Sequence, residues 1–145
     1  MSKSHDTMEM LMCLFGLHHR ILERRISELN IHRGQHRLLM HLAHDRTLKA
    51  QSELAKRLDV SGATVANMLK SLEENGYISR STSNADGRCN EVSITPAGHE
   101  VVEKSHAIFQ QVESGMFEGF SDEELDRIGG YLNRIRENLR KQEQQ

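Results

Sequence analysis

Apolar residues return at helical intervals along most of the chain. Met8, Leu11, Met12, Phe15, Leu22, Ile26 and Leu29 share such a spacing and predict a long first helix over residues 5–29. Asn30-Ile31-His32 breaks it. A second helix over 33–45 turns Leu38, Leu39 and Leu42 inward, and Leu48 follows as an extended, isolated residue. A short third helix over 51–58 starts at Ala50 or Gln51, neither as good a cap as serine. A fourth over 62–75 has Ser61 as its N-cap and Gly76 where a C-terminal glycine belongs. Tyr77–Ser81 and Val92–Thr95 have extended character and flank the turn-rich Ser83-Asn84-Ala85-Asp86-Gly87, which together read as a β-hairpin. Thr95-Pro96 opens a fifth helix that continues to about Phe117. Ser121 and Glu124 form a capping box before a last helix marked by Leu125, Ile128, Leu132, Ile135 and Leu139. Within it, Gly129-Gly130 suggests a close helix contact or a bend, and residues 140–145 read as a frayed polar tail.

The third and fourth helices carry the first functional signal. They are amphipathic, short, and joined by the tight turn Asp59-Val60-Ser61-Gly62. Leu54, Ala55 and Leu58 of the first, and Val65, Met68, Leu69 and Leu72 of the second, fall on inward faces. Ser61, Ala63, Thr64, Asn67 and Lys70 are left outside. Taken alone this is also the pattern of an ordinary helical hairpin with a polar exterior. A helix-turn-helix, however, places the start of its second helix in the DNA major groove. There Thr and Asn read base edges, an alanine or threonine methyl packs on thymine, and Lys70 or a serine at a helix start suits phosphate. The hairpin that follows, with Arg88 at its tip, adds a wing. Arg88 can enter the minor groove and Asp86 can brace it.

Residues 52–101 resemble the MarR family of bacterial transcriptional regulators. The resemblance rests on Leu72-Glu73-Glu74-Asn75-Gly76-Tyr77-Ile78-Ser79-Arg80, then Asp86-Gly87-Arg88, then Ile94-Thr95-Pro96-Ala97-Gly98, in that order. The number and order of the flanking helices extend it to nearly the whole chain. Cys89 departs from the pattern, since many members carry a second basic residue there. The resemblance implies a mainly α fold: a winged helix-turn-helix lobe over residues 33–95, with a dimerisation helix over 1–32 and dimerisation helices over 96–145. It also implies a homodimer that reads a pseudo-palindromic operator, usually as a repressor released by a small effector. Ser61, Ala63, Thr64, Asn67, Lys70, Arg80, Asp86 and Arg88 are the expected DNA contacts.

Composition changes this picture little. With 145 residues, 37% hydrophobic and 28% charged, the chain is long enough for a real core. No apolar run approaches bilayer length, and the N-terminus lacks a signal-peptide core. Two cysteines, Cys13 and Cys89, make no disulfide framework and point to a reducing cytoplasm. A net charge of −2 does not favour nucleic acid, so any basic character must be local. No phosphate-cradling loop, nucleophile elbow or His-Glu-x-x-His occurs, which argues against an enzyme, and no cofactor is implied. A pure protein-interaction module is a rival, and the polar face with Arg88 argues against it.

The effector is less legible. Nine histidines are present, with His32 and His36 four apart and His41 and His44 three apart. Zinc takes such ligands, and some MarR-like regulators respond to zinc, yet no compact ligand motif appears. Cys13 resembles in position the reactive cysteine of the family's organic-hydroperoxide sensors. Without neighbouring tyrosines, a buried inert thiol is the better reading. The remaining reading is a small organic acid or phenolic ligand held by Arg20, Arg24 and His41.

Overall fold

A computed structural model of the chain describes residues 2–45, 50–82 and 90–144. Six helices and a two-stranded sheet follow in the order α1 (Lys3–Ser27), α2 (Arg33–His44), α3 (Gln51–Leu58), α4 (Gly62–Glu74), β1 (Ile78–Thr82), β2 (Asn90–Ile94), α5 (Pro96–Met116) and α6 (Asp122–Glu143). Leu48 lies outside the described residues. The chain divides into two compact units, Met1–Val112 and Glu113–Gln145.

The helix boundaries follow from local chemistry. α1 starts two residues before the expected position because the Ser2 hydroxyl accepts the His5 amide. It stops at Ser27 because Asn30 takes a left-handed conformation, φ 56°. α2 is capped by an imidazole: His32 Nδ1 accepts from the amides of Gly34 and Gln35, at 3.1 and 3.3 Å, while Gln35 Oε1 accepts from the His32 amide. α3 begins at Gln51, after an N-cap residue, Ala50, that gives no side-chain hydrogen bond. Its end is set by Asp59 at φ 53°. In α6, Ser121 and Glu124 complete their capping box, and the helix runs unbroken past Gly129-Gly130. Among the described residues, nothing beyond the helix's own backbone would come within 4 Å of a Cβ on either glycine. The supposed frayed tail is helical through Glu143, helped by Arg140 on Glu137 one turn back, at 3.0 Å.

The core lies in the first unit. Leu22 and Ile26 of α1 meet Leu38, Leu39 and Leu42 of α2, Leu54 and Leu58 of α3, Val65, Met68, Leu69 and Leu72 of α4, Ile78 and Val92 of the sheet, and Val101 of α5. The strands pair antiparallel with Ile78 opposite Ile94 and Arg80 opposite Val92. The period of two therefore puts Ile78, Arg80, Val92 and Ile94 on one face. The first half of α1 has a different fate. Met8, Met12 and Phe15, which share the helical spacing of Leu22 and Ile26, are exposed. No residue of α6 is buried.

Candidate functional site

α4 is split by its own periodicity into two chemically distinct faces. Val65, Leu69 and Leu72 are fully buried and Met68 nearly so. Ser61, Ala63, Thr64, Asn67 and Lys70 all lie exposed. Ser61 begins the helix: its hydroxyl accepts the Thr64 amide at 3.1 Å and meets the Thr64 hydroxyl at 2.8 Å. The structure thus gathers these five sequence-predicted residues on one solvent-facing surface of one helix.

The far end of α4 is closed by a Schellman turn. The amide of Gly76 donates to the Glu73 carbonyl and that of Tyr77 to the Leu72 carbonyl, both at 2.9 Å. Gly76 sits at φ 76°, a conformation that a side chain would strain. Two side chains of this turn then hold the α1–α2 connection. Tyr77 Oη donates to the Leu29 carbonyl at 2.9 Å, and Asn75 Nδ2 donates to the Asn30 carbonyl at 3.1 Å.

The base of the wing is fixed by the same turn. Thr95 donates its amide to the Tyr77 carbonyl and its hydroxyl to the Gly76 carbonyl, at 3.1 and 2.6 Å. The hydroxyl oxygen then accepts the Gly98 amide, which starts α5. A Cβ on Gly98 would lie 2.1 Å from the Tyr77 carbonyl oxygen, so the strand and helix can approach only because residue 98 is glycine. Gly76, Thr95 and Gly98 are therefore the joints that aim α4 and the wing. The ordered motif contained them, but their roles become visible only with the hydrogen bonds.

Arg80 is not free like the α4 residues. It shares the inward face of β1 with Ile78, is largely covered, and places Nε 3.1 Å from Glu73 Oε2. The pair has ion-pair distance without hydrogen-bond alignment, which leaves Nε buried without a hydrogen bond. The alternation of β1 was the signal that Arg80 would turn inward. Asp86, Gly87, Arg88 and Cys89 lie outside the described residues.

An open groove of about 540 Å³ runs beside α4. Its lining comes from the end of α1 and its turn (Ser27, Asn30, Ile31), the start of α2 (His32, Gln35) and α4 (Thr64, Asn67, Met68, Ser71). Arg20 and Arg24 are exposed on α1 and His41 is half-buried on α2. None of the three lines this groove. Cys13 is exposed on α1 rather than buried, because the face of α1 that carries it meets no other part of the described core.

His32 and His36, four apart on the sequence, are drawn to separate tasks. His32 caps α2, whereas His36 is buried against α5. Ser105 donates its hydroxyl hydrogen to the Val102 carbonyl, so His36 Nδ1–H donates to Ser105 Oγ at 2.8 Å; that tautomer is assigned from the network. The His36 ring stacks on Phe109 with centroids 4.3 Å apart. Burial, reinforced by His106 and Arg33, lowers the His36 pKa from 6.5 to about 4. Periodicity alone gave no sign of this link. Among the described residues no group of three or more His, Cys, Asp or Glu could hold a metal ion. No helix among them is long and apolar enough to cross a membrane.

Comparison with known proteins bears on the centre of this arrangement. Residues 31–90, from the α1–α2 turn to the first residue of β2, match the model of the MarR family. Those residues are a MarR-family domain, that of a transcriptional regulator. The fold of the chain is also that of solved structures. It superposes on Staphylococcus aureus MepR in its complex with DNA with a TM-score of 0.72, at 24% identity over 95% of this chain and 99% of that one. The Bacillus subtilis protein YusO gives 0.78 at 21% identity, over 94% and 99%. The transcriptional regulator PA3341 gives 0.66 at 28% identity, over 92% and 97%. The domain places the chain among transcriptional regulators rather than enzymes, and the solved structures share the winged-helix architecture expected from its motifs.

Proposed function

We propose that this chain binds operator DNA as a homodimer in the cytoplasm and represses transcription until a small effector releases it. The observation that carries the reading is the two-faced α4. Its apolar face is wholly engaged in the core, and its outer face offers Ser61, Ala63, Thr64, Asn67 and Lys70 together. Such a set has the chemistry for reading base edges and phosphates in a major groove. The MepR structure, similar over nearly its whole length, contains DNA.

Dimerisation is supported by apolar surface. Met8, Met12, Phe15 and Leu17 on α1, and Tyr131, Leu132, Ile135 and Leu139 on α6, are all well exposed. Stripes of this kind mark association surfaces. In this reading residues 1–32 and 96–145 pair the protomers and residues 33–95 form the DNA-binding lobe.

The test is fluorescence anisotropy of labelled duplexes from upstream regions, including that of its own operon, across a range of salt. We expect saturable binding at a pseudo-palindrome with half-sites about one helical turn apart, weakening steeply with salt as counterions are released. Arg88→Ala should lower affinity by roughly 1–3 kcal/mol and flatten the salt dependence. Absence of binding to every such region at low salt overturns the reading.

A further inference from the structure

The groove beside α4 has a composition that selects a ligand. Its floor is apolar, from Ile31 and Met68, and its α4 wall presents Asn67 and Ser71, whose side chains have no hydrogen-bond partner among the described residues. Among the described residues no lysine or arginine lines it. The first amides of α2, which would otherwise attract an anion, are already accepted by His32 Nδ1. A carboxylate entering here would lose water without gaining a counter-charge. The Asn67 amide, in contrast, sets a donor and an acceptor side by side, matching the edge of a lactam or aminoheterocycle. The volume of about 540 Å³ suits such a molecule.

We propose that this groove binds an uncharged planar heteroaromatic ligand with adjacent hydrogen-bond donor and acceptor, and that the ligand excludes DNA directly. The exclusion rests on the DNA-reading face proposed above. Thr64 and Asn67 belong to both surfaces, so a side chain engaged by the ligand is withdrawn from a base edge. By linkage, DNA then weakens the ligand by the same factor. The effector acts on the reading residues themselves, with no need for a change of dimer geometry. Its chemistry differs from that expected of a pocket built on Arg20 and Arg24.

The experiment uses the full chain, with adenine as the neutral heterocyclic probe and benzoate as the carboxylate comparator. Backbone amide shifts are followed by NMR during titration. Adenine should saturate in the millimolar range, on the order expected for a ligand of its size in an open groove, and shift residues near 27–35 and 64–71. Benzoate should not. Saturating adenine should weaken operator binding roughly tenfold. Ser27→Leu and Ser71→Leu obstruct the groove from its α1 and α4 linings without touching the proposed DNA contacts. Both should weaken adenine roughly fivefold or more while binding operator like the wild type. Failure of adenine to saturate by about 20 mM, equal binding of benzoate, or both variants taking adenine normally overturns the site. Simultaneous binding of adenine and operator overturns the exclusion. If adenine saturates but no duplex binds at low salt, the DNA reading fails, and with it the exclusion, while the ligand site stands.

Discussion

α4 and α6 carry the same kind of pattern and meet opposite fates. Each is amphipathic, and each begins with a serine N-cap that accepts the amide three residues on. On α4 the apolar stripe disappears completely into the core, and what remains outside is small, polar or cationic. On α6 the stripe of Leu132, Ile135 and Leu139 stays exposed. Under the proposed function the two helices therefore take different parts. In α4, intramolecular packing rigidly fixes a polar surface. In α6 an apolar surface stays exposed, the one the proposed homodimer would cover. A helical period reports that a face is apolar, and the neighbouring elements decide what covers it.

The sharpest way to break the comparison is to remove one leucine from each helix. Leu69→Ala on α4 should destabilise the fold by about 2–5 kcal/mol, since it leaves a cavity beneath a fully buried site. Leu139→Ala on α6, where the side chain is 60% exposed, should leave the unfolding of dilute protein nearly unchanged. Thermal and urea unfolding measure both. Equal losses would mean that α6 is covered as thoroughly as α4.

The converse experiment places charge on the α6 stripe. Leu132→Asp combined with Ile135→Asp should weaken self-association by about a hundredfold or more, near 3 kcal/mol, while helical content persists. Light scattering against concentration measures the first and circular dichroism the second. A wild-type chain that is monomeric at high concentration, or a double variant that still dimerises, would remove α6 from the interface.

How far these differences were legible in the sequence depends on whether a feature is local. The boundaries of α3 and the start of α4 follow from turn and cap residues a few positions apart, and they matched closely. So did the inward set Val65, Met68, Leu69 and Leu72 with its polar complement. What escaped was long-range. The hydrogen bonds of Tyr77 and Asn75 to the α1–α2 turn span 48 and 45 positions. The His36–Ser105 link spans 69. No periodicity encodes such pairs. Arg80 was expected at DNA because it closes the family motif, whereas the alternation of β1 already turned it toward Glu73.

The buried His36 gives a smaller, pH-dependent contrast. Its folded pKa, about 4, lies below its ordinary 6.5, so below pH 6.5 the unfolded chain takes up a proton that the folded chain resists. Stability should therefore be fully present above pH 6.5 and fall as pH drops toward 4, by at most about 3 kcal/mol. His36→Phe keeps an aromatic ring against Phe109 and should flatten this dependence, at the cost of the Ser105 hydrogen bond. α6 buries no titratable side chain, so substitutions there should leave the pH profile unchanged. Urea unfolding from pH 7.5 to 4.5 compares them. An equally steep profile in His36→Phe would assign the acid sensitivity to other groups.

The smallest expected effects separate two residues on the exposed face of α4 itself. Asn67 and Lys70 lie one turn apart, and both are exposed. Neither substitution should disturb folding by more than about half a kcal/mol, because neither side chain supports the core. Their chemistry nevertheless differs. An amide with paired donor and acceptor can distinguish one base edge from another, whereas an ammonium is a point charge suited to phosphate. Asn67→Ala should therefore change sequence preference at one position of each half-site by roughly 1–3 kcal/mol, with little change in salt dependence. Lys70→Ala should weaken all duplexes about equally and reduce the slope of log affinity against log salt by about 1 per protomer. Binding of single-base operator variants at several salt concentrations distinguishes the two. If Asn67→Ala lowers affinity uniformly and Lys70→Ala alters preference, α4 approaches DNA in another orientation. If neither changes anything, the polar face of α4 is solvent surface, and the division of labour between α4 and α6 fails at its functional end.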